Sequence, residues 1–482
     1  MFALQDRTES AARPMRMWSS RAHLIAAVVL ASGFVAALAI NLPGHLEYDS
    51  FQQLIEGRRG VYDYWHPPIM SWILGVEDAI VRGASLFVIF NTILAFGSLA
   101  LLLWLPRRVS WAAVVCAAIF VALPQLILYQ GIVWKDILFA DTCVAAFVCL
   151  AYTPILWPQP GRRFALMAAS VVLLSIAALT RQNGAIILPC AAAALGLIAA
   201  RQSPAHRWRA GLVYASAFLF FTGALCSGAS ALLQLRSDGR PSRQQQIKLL
   251  EEYDLVGALK RQPDLPLSEL TKSSPELVAL MRKNGVRLYS PIAVDPLDDD
   301  DDLHDALDNA PADTLAQQWR QLIVGNPGIY IAVRERVFGW LFLGLHTAQC
   351  VPYVVGVEDD EPEMRNELGI KPRFDNRDKT LENYVKKFVG TPVMAHVTFG
   401  ALAFLSFVLL IVRRRTEDIA VAGLLAAAML YTLSFFVISI ACCYRYLYLL
   451  DLSAMAAMLY LSCDFKLPSS GKSASKPGTR IT

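Results

Sequence analysis

Residues 24–72, LIAAVVLASGFVAALAINLPGHLEYDSFQQLIEGRRGVYDYWHPPIMSW, indicate the fold and the location of a site together. The apolar run 24–40 is long enough to begin crossing a bilayer. The loop that follows it carries several acids, a histidine and many aromatic side chains; the ionisable ones we single out are Glu47, Asp49, Glu56, Asp63 and His66. A first loop of this composition at a membrane face indicates chemistry on a lipid-borne molecule.

The composition supports a membrane protein. The chain has 482 residues, of which 55% are hydrophobic and only 17% charged, whereas soluble domains have roughly 25% charged residues. We therefore predict an all-α polytopic membrane protein, which excludes an ordinary soluble enzyme and a nucleic-acid-binding protein. Apolar runs of spanning length predict about ten transmembrane helices, at 23–41, 84–105, 109–129, 137–157, 163–180, 183–200, 210–235, 394–412, 418–441 and 446–463.

Positive charges orient these spans. Lys and Arg are concentrated in the N-terminal tail, in alternate short connections and in the C-terminal tail. Because such loops stay on the cytoplasmic side, we expect both termini in the cytoplasm and the protein in a bacterial inner membrane. No small-residue cleavage site follows the first run, so we do not expect a cleaved signal peptide.

The spacing of the spans predicts four regions. Residues 1–235 form an N-terminal membrane module with seven spans, and its loop 42–83 is the predicted catalytic loop. Residues 236–393 form an extracytoplasmic insert, 394–463 hold three more spans, and 464–482 form a disordered cytoplasmic tail. Within the insert we predict helices at 244–259 and 303–324. The segment 329–346 contains Arg334, Glu335 and Arg336, which are costly at membrane depth, so we expect an interfacial helix there.

Three cysteines fall on the predicted extracytoplasmic side, which is an oxidising compartment in bacteria. A disulfide from Cys350 to either Cys442 or Cys443 is possible, and the sequence leaves the choice open.

Asp49 is the predicted general base, because a partly desolvated carboxylate near a membrane can have its pKa raised toward neutrality. The alternative for Asp49 is a helix N-cap, and Glu47 is the second candidate base. His66 precedes two prolines that hold it in an extended conformation and could aim its ring at a pocket. An incidental histidine in an aromatic interfacial belt is the alternative for His66.

Basic residues on the same predicted face are candidate ligands of a lipid phosphate, and these are Lys135, Arg181, Arg445, Arg334 and Arg336. The alternatives are a local ion pair for Lys135 and snorkelling to lipid headgroups for Arg181 and Arg445. Supporting polar residues are Asp136, Asp141, Asn183, Tyr444 and Tyr446. Carboxylates and cations together at one face suit transfer from a phosphate-linked lipid.

The residues PGHLEYDSFQQ…GVYDYWHPPIMSW, GIVWKDILFAD, TRQNG and YRY resemble the GT-C superfamily of integral membrane glycosyltransferases. That resemblance implies a polyprenyl-phosphate-linked sugar donor, extracytoplasmic transfer and an essential acid directly after span one, a place that Asp49 or Glu47 holds here. Branches of the superfamily often have a paired DE or DD at that place, where this chain has EYD. No cofactor is certain, and a divalent metal remains open.

We therefore predict a glycosyltransferase that acts on an envelope glycan, lipid or protein, with membrane lipids as its surroundings. The rival functions are a lipid-linked polysaccharide polymerase or ligase and a lipid or solute transporter, with a non-catalytic scaffold as a further alternative. A transporter would show inverted repeats and matching broken helices, which we do not find in the sequence.

Overall fold

The computed structural model describes residues 21–63, 65–105, 108–237, 242–344, 350 and 353–464. The described chain is all-α, as predicted, and extended segments within it form only isolated bridges. The predicted cytoplasmic tail lies outside the described residues except for Asp464, and so do Arg7, Arg13 and Arg16 of the N-terminal tail, whereas Arg21 is described.

The helices follow in three groups. The N-terminal group comprises α1 (Arg21–Asn41), α2 (Tyr48–Arg59), α3 (Pro68–Ile80), α4 (Ser85–Trp104), α5 (Trp111–Ala122), α6 (Pro124–Ile127), α7 (Lys135–Tyr152), α8 (Pro160–Thr180), α9 (Leu188–Gln202) and α10 (Arg207–Gln234). The insert comprises α11 (Ser242–Arg261), α12 (Ser268–Ser273), α13 (Pro275–Leu280), α14 (Val286–Leu288), α15 (Asp301–Asp308), α16 (Ala312–Gly325), α17 (Pro327–Leu343), α18 (Pro362–Leu368) and α19 (Asn376–Val385). The C-terminal group comprises α20 (His396–Arg413), α21 (Asp418–Ile438) and α22 (Tyr448–Cys463).

Within the described ranges, eight helical segments are long and apolar enough to span a membrane, or nine if the bent pair formed by Trp111–Ala122 and Pro124–Gly131 is one span. This pair bends by 66° at Pro124, whose ring cannot continue the helix of the preceding residues. The protein is therefore a multi-pass membrane protein, and the number ten stays a prediction.

The remaining predicted span, 137–157, corresponds to α7. This helix carries Lys135, Asp136 and Asp141, and 16 of its 18 residues are buried. It packs against α4, α8, α21 and α22. A helix with three ionisable side chains is stable among other helices but not against lipid, so α7 lies in the middle of the bundle and its first turn can carry charged groups inside the protein.

Close backbone contact joins the two helices of the first loop. A Cβ atom on Gly57 of α2 would lie only 2.7 Å from the backbone nitrogen of Gly75 in α3. Only glycine permits this approach. The contact fixes α2 against α3, so that the start of α2 and the residues before α3 keep constant positions relative to each other.

The insert has its own apolar core, built from α11 to α17. The helix predicted at 303–324 is two helices, α15 and α16, because Pro311 lies at the N-cap of the second one. The predicted helix at 329–346 corresponds to α17, and residues 345 and 346 lie outside the described residues. Its Arg334 is fully buried and pairs with Asp254 of α11, and it donates to the carbonyl oxygen of Ser439 at 2.6 Å.

His45 connects the end of α1 to the insert. The N–H of Gly356 donates to His45 Nδ1 at 2.8 Å, so the Nε2–H of the ring faces Asn41 Oδ1, also at 2.8 Å. Both contacts require the neutral ring. Burial, with the nearby charges of Arg373 and Arg377, lowers the pKa of His45 to about 3.

We expect this contact to make stability depend on pH. The unfolded chain protonates His45 below about 6.5 and the folded chain only near 3, so stability falls as pH drops through that window, by up to about 1.4 kcal/mol per pH unit. His45→Asn should be less stable at pH 7 but lose less on acidification. Thermal unfolding between pH 4 and 7 measures this, with the exposed His304→Asn as the control; an unchanged pH slope in His45→Asn would contradict it.

Candidate functional site

Ionisable residues from five places along the chain gather in one cluster. Its members, which we call the charge cluster, are Glu47, Asp49, His66, Lys135, Asp136, Arg181 and Arg445. They come from the start of α2, the turn before α3, the start of α7, the end of α8 and the 3₁₀ turn Tyr444–Leu447. Loop one, the start of α7, the end of α8 and the last turn before α22 are thus brought to the same side of the bundle.

Arg445 lies between the two first-loop carboxylates. Its Nη1 is 3.0 Å from Glu47 Oε1 and its Nη2 is 2.5 Å from Asp49 Oδ2. The guanidinium also lies over the ring of Trp134 at 4.9 Å, and the Trp134 indole donates to Glu47 Oε1 at 2.8 Å. A stacked guanidinium with its donors directed to two acids is held firmly in one orientation.

His66 connects Asp49 to Lys135. Lys135 Nζ is 2.6 Å from His66 Nδ1, and His66 Nε2 is 3.3 Å from Asp49 Oδ1. An ammonium group only donates, so Nδ1 is the accepting nitrogen and Nε2 carries the proton that faces Asp49. The imidazole is therefore neutral in this arrangement.

A third acid, Asp136, balances the remaining cation. Arg181 Nη1 donates to Asp136 Oδ1 at 2.7 Å, and Arg445 Nε lies 3.8 Å from Asp136 Oδ2. Three acids and three cations, with one neutral histidine, make the cluster close to electroneutral. This explains how so many charged groups are tolerated beside membrane-spanning helices.

The cluster has an open side. The side chains of Glu47 and Asp49 are each 16% exposed and that of Arg445 is 13% exposed, whereas Asp136 is 2% exposed. A ligand that approaches the cluster therefore meets the Arg445 guanidinium and its two carboxylates first.

The surroundings move the two carboxyl groups in opposite directions. Burial raises the pKa of Glu47 against the opposing charge of Arg445. Burial also acts to raise the pKa of Asp49, but Arg445, His66 and Lys135 together outweigh it and hold that pKa well below its usual range. Burial and the charge of Lys135 lower the pKa of His66. Opposite shifts in neighbouring acids are typical of sites with separate acid–base roles.

The alternative interpretations of these residues can now be compared with their contacts. The N-cap of α2 is Glu47 and not Asp49. Lys135 pairs with a residue 69 positions away rather than locally. Arg181 and Arg445 are held by acids inside the protein, so they do not snorkel to lipid headgroups.

Other candidate residues lie outside the charge cluster. Arg334 is held within the protein, because its Nη2 donates to the buried Asp254 carboxylate and its Nη1 donates to the Ser439 carbonyl oxygen, so the prediction that it contacts the donor phosphate is not supported by its position. Arg336 lies on the same helix with an exposed side chain near Tyr289 of the insert. Asp141 lies deeper in α7 and accepts from Gln130 at 3.2 Å.

The supporting residues divide in the same way. Asn183 donates to the Ser434 hydroxyl at 2.8 Å. The ring of Tyr446 packs at 5.1 Å from the Arg181 guanidinium, next to the cluster. Tyr444 faces the other way and donates to Asp451 at 2.6 Å.

Glu358 of the insert is a neighbour of the cluster that the sequence analysis missed. Its backbone N–H donates to the carbonyl oxygen of Leu46 at 3.1 Å, which places it beside Glu47. Burial and the charges of Glu47 and Asp360 raise its pKa to about 7. Glu358 lies 311 positions after Glu47 in an acidic run that is typical of a solvated loop, so no sequence pattern indicated this contact.

The charge cluster does not fit a divalent metal in this arrangement. Arg445 occupies the place between Glu47 and Asp49 where a cation would be held, and it already neutralises both. Over the ranges that the structure describes, no group of three or more His, Cys, Asp or Glu side chains is placed to hold a metal ion.

A disulfide holds the segment that leads into Arg445. Cys350 is bonded to Cys442, with the Cα atoms 5.3 Å apart, which decides between the two pairings left open by the sequence. Cys443 is a free thiol. The bond connects the segment between α17 and α18 of the insert to Cys442, three residues before Arg445.

We expect Cys350→Ser and Cys442→Ser to destabilise the protein equally, by about 2–5 kcal/mol, because each breaks the same bond. The double variant should be no worse than either single one. Thermal unfolding in detergent measures this, with Cys443→Ser as the matched control. An equal loss in Cys443→Ser would contradict the pairing.

The fold and the site together define an all-α multi-pass membrane protein with a buried, partly open charge cluster at one end of its bundle. No protein-family model matches the chain, and no curated protein sequence matches it significantly. Similar solved structures are of an oligosaccharyltransferase of Archaeoglobus fulgidus. One is AglB in complex with an inhibitory peptide and a dolichol-phosphate, at 14% identity and a TM-score of 0.40, covering 91% of this chain and 50% of that one.

A second structure of that enzyme, in complex with Zn and sulfate, has 16% identity and a TM-score of 0.41 and covers 90% of this chain and 48% of the other. The apo form has 17% identity and a TM-score of 0.40, and the match covers 91% of this chain and 50% of the other. The chain thus spans about half the length of these proteins. Likeness at this level assigns neither activity nor ligand to this chain.

Proposed function

We propose that this protein is a membrane glycosyltransferase that moves a sugar from a polyprenyl-phosphate-linked donor to an envelope acceptor on the extracytoplasmic face. One observation carries the proposal: Arg445, the most central cation of the charge cluster, lies on its open side between two carboxylates whose pKa values are shifted in opposite directions. A cation for a leaving phosphate and a base for an acceptor hydroxyl are thus adjacent.

In the proposed reaction, the donor phosphate contacts the Arg445 guanidinium, and Lys135 and Arg181 lie behind it. The acceptor oxygen forms a bond to C1 of the sugar as the C1–O bond to phosphate breaks. The electron pair of that bond leaves with the phosphate, and the three cations stabilise the charge that develops there. Arginine suits this role because its planar fork matches two phosphate oxygens.

The acceptor proton passes to a first-loop carboxylate. Asp49 is the base that the sequence predicted. The pKa shifts favour Glu47 for this step, since a carboxylate with a raised pKa is the stronger proton acceptor. Asp49 then stays ionised and, through Arg445 and His66, holds the cation and the imidazole in place.

The insert would form the acceptor side of the site. Glu358 lies beside Glu47 on one flank, and α18 is joined to α2 through Arg58, which donates to the carbonyl oxygen of Leu368 at 2.7 Å. We therefore assign acceptor selection to residues 353–373, in a protein of the bacterial inner membrane with both termini in the cytoplasm.

The direct test is reconstitution. Purified protein in lipid vesicles, supplied with a set of polyprenyl-phosphate-linked sugars and an envelope extract, should release polyprenyl phosphate and label one acceptor class. Mass spectrometry of envelope glycans from cells with and without the intact gene should show the same sugar missing. Unchanged glycans together with no release from any donor would refute the function.

We expect transfer to continue after metal removal. Arg445 supplies the positive charge between the acids, so EDTA treatment should change the rate by less than about twofold, and added Mg²⁺ or Mn²⁺ should not restore an Arg445→Ala variant. The rate of polyprenyl phosphate release with and without chelator measures this. A loss of more than about tenfold with EDTA, reversed by one metal, would contradict it.

A further inference from the structure

A buried polar network lies directly behind Arg445. His396, the first residue of α20, is fully buried. Its Nδ1 is 2.8 Å from Asp451 Oδ1, and its Nε2 is 2.9 Å from the backbone carbonyl oxygen of Tyr444. The imidazole also stacks on the Tyr444 ring, with centroids 4.0 Å apart. His396 therefore contacts the peptide unit that joins Tyr444 to Arg445.

The hydrogen-bond partners in this network fix the orientation of the His396 imidazole and the proton on its Nε2. A carbonyl oxygen only accepts, so Nε2 of His396 must carry a proton. The Tyr444 hydroxyl accepts from Gln125 Nε2 at 2.8 Å and donates to Asp451 Oδ2 at 2.6 Å. Both oxygens of Asp451 are thus engaged, and Asp451 holds the imidazole with its Nε2–H toward the carbonyl.

The Tyr444 carbonyl matters because its amide plane sets the direction in which residue 445 leaves the backbone. The turn Tyr444–Leu447 is a short 3₁₀ element, and such elements have weak hydrogen bonds of their own. Cys442 anchors the chain before the turn through its disulfide to Cys350. Arg445 must nevertheless stay within hydrogen-bond distance of both Glu47 and Asp49.

We propose that His396 is a positioning residue for Arg445: its Nε2–H holds the Tyr444 carbonyl, and Asp451 orients the ring. The role in the reaction rests on the proposed function, because it matters there only if Arg445 binds the donor phosphate. The contact with the turn stands without it.

Two substitutions of His396 each remove a different one of its two hydrogen bonds. The amide nitrogen of glutamine lies near the place of Nε2, and that of asparagine near the place of Nδ1. His396→Gln therefore keeps the bond to the Tyr444 carbonyl, and His396→Asn keeps only the bond to Asp451. With undecaprenyl phosphate in nanodiscs as the probe, His396→Asn should bind roughly tenfold more weakly, and His396→Gln within about threefold of the unaltered protein.

Hydrogen exchange gives a readout that is independent of lipid binding. In His396→Asn, the amides of 443–448 should exchange faster while those of 452–460 do not change; in His396→Gln both should stay slow. Wild-type-like binding and exchange in His396→Asn would overturn the proposal, and so would equal losses in the two variants.

Failure of the proposed function has a different signature. If the unaltered protein binds no undecaprenyl phosphate, the donor assignment is wrong, while the exchange data still test the contact. If His396→Asn does not fold, the unaltered protein decides: amides of 444–447 that exchange as slowly as α22 support the contact, and exchange at the rate of an exposed loop refutes it.

Discussion

Arg445→Ala is expected to reduce kcat/KM for transfer by at least about 10³-fold. Loss of one donor to a developing oxyanion costs on the order of 10²–10³ in rate, and here the change also leaves Glu47 and Asp49 without their shared cation. Arg445→Lys should recover only part of the rate, because an ammonium restores the charge but not the fork. Polyprenyl phosphate release by the reconstituted protein measures both.

Arg336→Ala is the matched control for Arg445→Ala. Arg336 is an exposed arginine of the insert and lies outside the charge cluster, so its removal should change the rate by no more than a few-fold. Equal rates for Arg445→Ala and Arg336→Ala would remove Arg445 from the mechanism.

Glu47→Gln and Asp49→Asn are both expected to reduce transfer, but for different reasons. If Glu47 takes the acceptor proton, Glu47→Gln should lower kcat by about 10²–10⁴-fold with little change in the KM for the donor. Asp49 holds Arg445 and faces His66, so Asp49→Asn should raise the donor KM as well as lower kcat. Steady-state kinetics at varied donor concentration separates the two.

The pH dependence of the transfer rate also distinguishes Glu47 from Asp49 as the base. The rate with the unaltered protein should fall as pH drops through the raised pKa of Glu47, and Asp49→Asn should keep a fall of the same sign. Glu335→Gln is the control, because Glu335 is an exposed acid of α17 outside the charge cluster. If Asp49→Asn loses its acid limb and Glu47→Gln keeps it, Asp49 is the base, as the sequence predicted.

The fold class could be predicted because it depends on local properties. Apolar runs of spanning length follow from the chain itself, whereas the bend at Pro124 falls inside 109–129, which we predicted as one span. The burial of α7 inside the bundle was harder to predict. Lys135, Asp136 and Asp141 make this helix polar by composition, and its position inside the bundle makes it stable. That position depends on packing with helices from both ends of the chain.

The sequence predicted the residues of the candidate site better than it predicted the contacts between them. An acid in the first loop and cations on the same face pointed to Asp49, Lys135, Arg181 and Arg445. The partner of each one is tertiary information: Arg334 looked equivalent to Arg445 but meets Asp254, and Glu358 reaches Glu47 across 311 positions. Opposite pKa shifts in Glu47 and Asp49 depend on burial, which the sequence does not contain.

The balance of three acids against three cations affects which anions can compete for the site. Arg181 and Arg445 already have carboxylate partners, and Lys135 is held by His66, so a freely diffusing inorganic anion gains little on entry and must displace one of these internal partners. A phosphate tethered to the bilayer by an isoprenoid tail stays beside the cluster at a high effective concentration. The site would thus favour phosphate esters anchored in the leaflet over inorganic phosphate that diffuses freely in solution.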